Sequence, residues 1–157
     1  MATRTYRIED EPTPGALAQI TVNPFWPLLG LMLGGGWLAW PWFVINSLAL
    51  GSATKKREVL VVLGGVAGLF AAAIAVIVLH RAERLGGATP YLAHVAFPIA
   101  KLGIGYLVYT WQTRSFQLYE YFGGTARNGM LVALAGLFLR SRLAEVLHAD
   151  IWALVLF

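Results

Sequence analysis

The spacing of the charges limits how this chain can fold more than any other feature. No Asp, Glu, Lys or Arg occurs from Pro12 to Thr54, none from Val59 to Leu79, and Lys101 alone interrupts the run from Leu85 to Thr113. A helix needs roughly 20 apolar residues to cross a ~30 Å hydrocarbon core, and each run is long enough. With 58% hydrophobic and 13% charged residues, the pattern predicts an all-α, polytopic membrane protein with four transmembrane helices. The alternative is three spans followed by an amphipathic C-terminal helix.

Residues 1–24 read as a polar N-terminal tail, and 25–157 as a transmembrane helical bundle with spans at about 25–50, 59–79, 90–111 and 129–152. The tail lacks a secretory pattern, because Glu9, Asp10, Glu11, Pro12 and Pro14 separate its basic residues from the first apolar core. The first segment is longer than one crossing requires and contains Gly34-Gly35-Gly36 and Pro41. It is read as one tilted, kinked helix. Two half-helices forming a re-entrant hairpin are the alternative, and their non-helical backbone would need shielding by protein. Trp26, Trp37, Trp40 and Trp42 are expected as interfacial anchors.

In the second segment, Gly64, Gly68 and Ala72 recur at the small-residue spacing that lets helices approach closely in lipid. They are expected to pack within this chain, with self-association as the alternative. Pro98 lies inside the third segment and invites a kink just before Lys101. After Trp111 a polar, aromatic connection is expected up to Asn128, turning at Gly123-Gly124. Tyr119, Glu120, Tyr121 and Arg127 in it offer a surface to lipid headgroups or a partner. Four spans would put both termini on one side, opposite Lys55-Lys56-Arg57 and the Arg114–Arg127 connection. The positive-inside rule makes that basic side cytoplasmic.

Lys101 is too deep in its span for simple snorkelling along its own stem, and an unpaired lysine there costs at least about 2.5 kcal/mol. It is therefore expected to face the bundle or an oligomer axis. Arg140 lies at a like depth, and Arg140, Arg142 and Glu145 complete the intramembrane polar set. Glu145, or backbone carbonyls freed near Pro98, are the expected neutralising groups, with Arg142 and Glu145 on a polar face of segment four turned toward the bundle. His80, His94 and His148 approach one membrane face in a four-span topology, and such imidazoles can ligate haem or a transition metal. Interfacial hydrogen bonding is the plainer reading of them.

No phosphate loop, nucleophile elbow or zinc-binding HExxH occurs, so no catalytic residue is assigned. The chain contains no cysteine, which removes disulfides and thiolate chemistry. Its net charge of +4 suits topology signals and lipid phosphate contacts, not nucleic acid.

Asn46-x-x-x-Leu50-Gly51 followed by Lys55-Lys56-Arg57, together with Gln112, Phe116 and Tyr119 followed by Gly123-Gly124 and Asn128, resembles an arrangement in small bacterial four-helix inner-membrane proteins. The resemblance implies a multi-pass protein of the bacterial inner membrane and carries no activity. Three functions are weighed. The first is a non-enzymatic subunit or scaffold of a larger membrane complex, with lipids, other membrane subunits or its own copies as partners. The second is a homo-oligomeric, anion-favouring channel or transporter with Lys101 in the pathway. The third is a haem- or metal-binding redox subunit; the first two need no cofactor.

Overall fold

The computed structural model describes residues 15–82, 86–87, 89–147 and 155–157. Among them the fold is helical. A single 3₁₀ turn, Ala16–Ile20, precedes α1 (Phe25–Leu33), α2 (Gly36–Leu50), α3 (Lys55–Arg81), α4 (Thr89–Tyr121) and α5 (Met130–Leu147). Two helices, α3 and α4, are long and apolar enough to cross a membrane.

The first hydrophobic segment is two helices, not one. Gly35 has φ 99°, in a region that only glycine enters without strain, and the chain reverses there. The reversal is visible at the far ends, where the Val22 amide donates to Asn46 Oδ1 at 3.0 Å. In a continuous helix those residues would be about 36 Å apart. Trp26 and Trp42 both stand against Gly129, where any side chain would collide with their rings. Of the two arrangements open to this segment, the hairpin is the one adopted. Trp26 and Trp42 thus lie toward its open end, whereas Trp37 and the buried Trp40 sit near its tip.

Local signals explain where the helices start and stop. The Asn23 side chain accepts from the Phe25 amide at 2.9 Å, and the Asn128 side chain accepts from the Met130 amide at 2.9 Å, each satisfying an orphan donor at a helix start. Gly51 and Gly123, at φ 61° and 83°, end α2 and α4 with the same paired bonds. Gly51 N–H reaches Leu48 O while Ser52 N–H reaches Ser47 O, and Gly123 N–H reaches Glu120 O while Gly124 N–H reaches Tyr119 O. These are Schellman caps, in which the left-handed glycine closes the last turn. The helical continuation of α4 to Tyr121 replaces most of the connection expected after Trp111.

α3 and α4 pack side by side, with Ile104 against Gly65, and α2 fills the space beside both. Phe43, Ala39 and Trp40 of α2 meet Val62, Leu69 and Ala73 of α3 and Phe97 and Val108 of α4 in one core, which Leu31 of α1 joins. α5 packs chiefly on α1. Because the hairpin returns the chain to its starting end, the segments 15–23, 51–54 and 122–129 share one end of the molecule. Arg127 N–H bonds Thr21 O at 2.7 Å there.

Candidate functional site

Two polar regions lie inside this apolar bundle. The first is at the end where the loops gather. Glu58, only 1% exposed in the first turn of α3, accepts from the hydroxyls of Ser52 and Thr54, each at 2.6 Å, and from that of Ser47. Ser52 also bonds Ser115 of α4 at 2.9 Å. Gln112 donates to Phe43 O at 2.8 Å and to Ser47 Oγ at 3.3 Å, and it accepts from Asn46 Nδ2 at 3.1 Å. Three hydroxyl donors compensate the buried carboxylate, and both side-chain amides are bonded to neighbouring groups. This is what burial of polar groups in a low-dielectric interior requires.

Asn46, Leu50, Gln112, Phe116 and Tyr119, noted above for their sequence pattern, are neighbours here. Leu50, Phe116 and Tyr119 form a small buried cluster of their own below the Asn46–Gln112 bond. Tyr119, expected on an open connection, is buried in the last turn of α4 and donates its hydroxyl to Thr125 O at 3.3 Å.

The second polar region is at the hairpin tip. From Gln112 to Lys101 is about 16 Å along α4, and from Asn46 back to Gly36 is about 15 Å along α2, so Lys101 and the tip lie at similar depth. Lys101 is 6% exposed. With Arg140 of α5 it lines a cavity of about 280 Å³ whose other walls are Leu31, Met32, Pro98, Leu102 and Phe157. Arg140 donates to Phe157 O at 2.9 Å and to Leu33 O, at the end of α1, at 3.4 Å. A cation at the C-terminal end of a helix is favourably placed in its dipole. The Lys101 ammonium has no acceptor within hydrogen-bond distance among the described residues. No acidic side chain lines the cavity.

The expected partner for Lys101, Glu145, is elsewhere. It pairs with Arg142 at 3.6 Å, one turn along α5, and the two side chains are 67% and 79% exposed. The polar face of α5 expected to turn inward therefore turns outward, and Arg140 alone of that set faces the bundle. The small-residue stripe of α3 is corrected too. Gly64, Gly68 and Ala72 are exposed, and a methyl group added at either glycine would meet nothing within 4 Å. Within this chain α3 packs through Val62, Gly65, Leu69 and Ala73 instead.

His80 and His94 are exposed near the far ends of α3 and α4, while His148 lies outside the described residues. Among those residues no group of three His, Cys, Asp or Glu side chains is placed to hold a metal ion. Sequence reasoning missed Glu58 and its partners. A Glu directly after Lys55-Lys56-Arg57 reads as one more solvated charge. The available signal was Ser47, Ser52 and Thr54 clustered just ahead of it.

The chain matches no family model, no curated protein and no solved structure.

Proposed function

We propose that this is a multi-pass, non-enzymatic membrane protein that holds and passes an anion at mid-depth, as a homo-oligomer, through the cavity shared by Lys101 and Arg140. The observation that carries this reading is the cavity itself, with two cationic side chains, no acidic one, and otherwise apolar lining side chains. A buried ammonium without an acceptor is costly, and an anion arriving between it and the guanidinium removes that cost.

The surrounding architecture supports the reading. In lipid, a break in helical backbone is tolerated where protein buries it or where it lines an aqueous cavity. The Gly34-Gly35 break is buried by Gly136, Leu38 and Leu156 next to that cavity. α3 and α4 cross the bilayer, and the α1–α2 hairpin enters to about half depth. α5 follows it from the same end at least as far as Arg140. The loop-bearing end carries Lys55, Lys56, Arg57, Arg114 and Arg127, whereas the described far end carries Arg81. The positive-inside rule makes the loop-bearing end cytoplasmic. The resemblance noted from Asn46 to Asn128 is the ground for assigning the bacterial inner membrane. The exposed Arg142–Glu145 pair, which at this depth needs shielding from lipid, supports the homo-oligomeric part of the proposal.

The test is anion efflux from proteoliposomes loaded with chloride or nitrate. Flux should fall at least tenfold in Lys101→Met and in Arg140→Gln. Absence of flux in the wild type, or flux indifferent to Lys101→Met, overturns the proposal. A second reading, a subunit of a larger membrane assembly, draws on α5, whose outward Leu131 and Phe138 are 78% and 73% exposed. Purification in mild detergent that returns only this chain counts against it.

A further inference from the structure

A cavity of about 640 Å³ lies at the loop-bearing end between α3 and α4 and plays no part in the proposal above. Arg57, Arg114, Trp111, Tyr121, Ser115 and Thr54 are among its lining residues, and no carboxylate is. Arg57 is held in place, its guanidinium 4.5 Å from the centroid of the Trp111 ring. Such a contact occupies the face of the guanidinium and leaves in-plane N–H donors for a ligand. Arg114 supplies a second fork of donors. Glu58, the nearest buried acid, is turned inward onto its serine and threonine hydroxyls, so its charge is already compensated. Two arginines with hydroxyl and aromatic neighbours are a recognition set for phosphate oxygens.

The surface leading away from this cavity is apolar and unusually smooth. Arg57, Gly64 and Gly68 lie within about 40° of one another around α3, and Arg114, Leu107 and Gly103 within about 40° around α4. Measured from the Gly65–Ile104 contact, both arcs are turned by about 80° in the same sense. In an antiparallel pair this puts them on one side, opposite the core. Gly64, Gly68 and Gly103 each have open space where a side chain would be. A track of that shape below a dicationic pocket matches a phosphate headgroup with an acyl chain beneath it.

We infer that the α3–α4 outer face is a binding site for an anionic phospholipid, with the phosphate between Arg57 and Arg114 and an acyl chain along Gly64, Gly68 and Gly103. The inference rests on the membrane reading but not on anion transport, so liposome flux and lipid retention can fail separately.

The test is native mass spectrometry of the detergent-solubilised full chain titrated with dioleoyl phosphatidylglycerol, dioleoyl phosphatidylcholine or inorganic phosphate. Phosphatidylglycerol should be retained at least tenfold more strongly than phosphatidylcholine and should resist displacement by millimolar phosphate. The double variant Arg57→Gln/Arg114→Gln should lose that preference. Gly64→Phe, which fills open space and spares both arginines, should weaken retention of the dioleoyl lipid but not of dihexanoyl phosphatidylglycerol. Equal retention of the two dioleoyl lipids overturns the inference, as does displacement by phosphate, which would mark a free-anion site. A preference unchanged in both variants overturns it as well. So does efficient cross-linking of Gly64→Cys between two copies, which would assign the face to a dimer.

Discussion

The two buried polar regions of this bundle are opposites. At the loop-bearing end, Asn46, Glu58 and Gln112, one from each of α2, α3 and α4, are all hydrogen-bonded, and the carboxylate takes a donor from each of Ser47, Ser52 and Thr54. At the hairpin tip, Arg140 finds two main-chain oxygens, while Lys101 faces the cavity without an acceptor among the described residues. A network that closes on itself stiffens a fold, and removing a member leaves the others stranded. A charge left open is a cost to the fold, and its removal relieves that cost. Under the proposed function, the first region is structural and the second handles the ligand.

Removing the carboxylate at the closed end should have the largest effect. Glu58→Ala removes the shared acceptor of three hydroxyls and should destabilise the protein by about 3 kcal/mol, read as a lower thermal midpoint in detergent. If stability is unchanged, the closed network is not structural and the contrast fails. Gly35→Val should come next, at about 2 kcal/mol, because a β-branched residue is strained at that backbone conformation and its side chain would meet Leu156 O. It should also disturb the tip cavity, lowering flux along with the midpoint.

A double-mutant cycle sharpens the comparison. Asn46→Leu and Gln112→Leu alone should each cost between about 1 and 2 kcal/mol, and the double variant should cost less than their sum, since neither leaves the other unpaired. Strict additivity would mean that the 3.1 Å bond between them does not couple them. The smallest stability effect belongs to the open end. Lys101→Met should change stability by less than about 1 kcal/mol, or raise it, while lowering flux at least tenfold. A large loss of stability in that variant would make Lys101 structural and erase the distinction.

Much of this was legible in the sequence, and the failures have physical reasons. Charge spacing alone is enough to identify α3 and α4 as helices able to cross a membrane, because a run of some 20 residues with at most one ionisable group has few other causes. Lys101 and Arg140 were recognisable as a pair because equal depth follows from helical rise. Their shared cavity was not, since it depends on Leu31 and Met32 arriving from a hairpin. The hairpin turned on Gly35. A glycine triplet permits either a kink or a reversal, and tertiary contacts with Gly129, Gly136 and Leu156 decide between them. Glu58 escaped notice because burial of a charge beside three basic residues depends on hydroxyls from α2 and the α2–α3 turn. The Gly64, Gly68 and Ala72 stripe was visible as a stripe, but spacing does not say which side of a helix meets its neighbour. The side that does is one residue round, at Gly65.

The hairpin also bears on the order in which the protein is made. α1, nine residues long, rises only about 13 Å and is too short to cross a bilayer by itself. Its wall of protein comes from later in the chain, with Gly105 against Leu31 and Gly136 against Gly34 and Leu38. Among the described residues the first helix long and apolar enough to cross a membrane is α3, so on the proposed membrane reading the α1–α2 hairpin gains its full shield only once α4 and α5 are in place. On that reading, a chain truncated before α5 leaves Gly34 and Leu38 without their contact to Gly136.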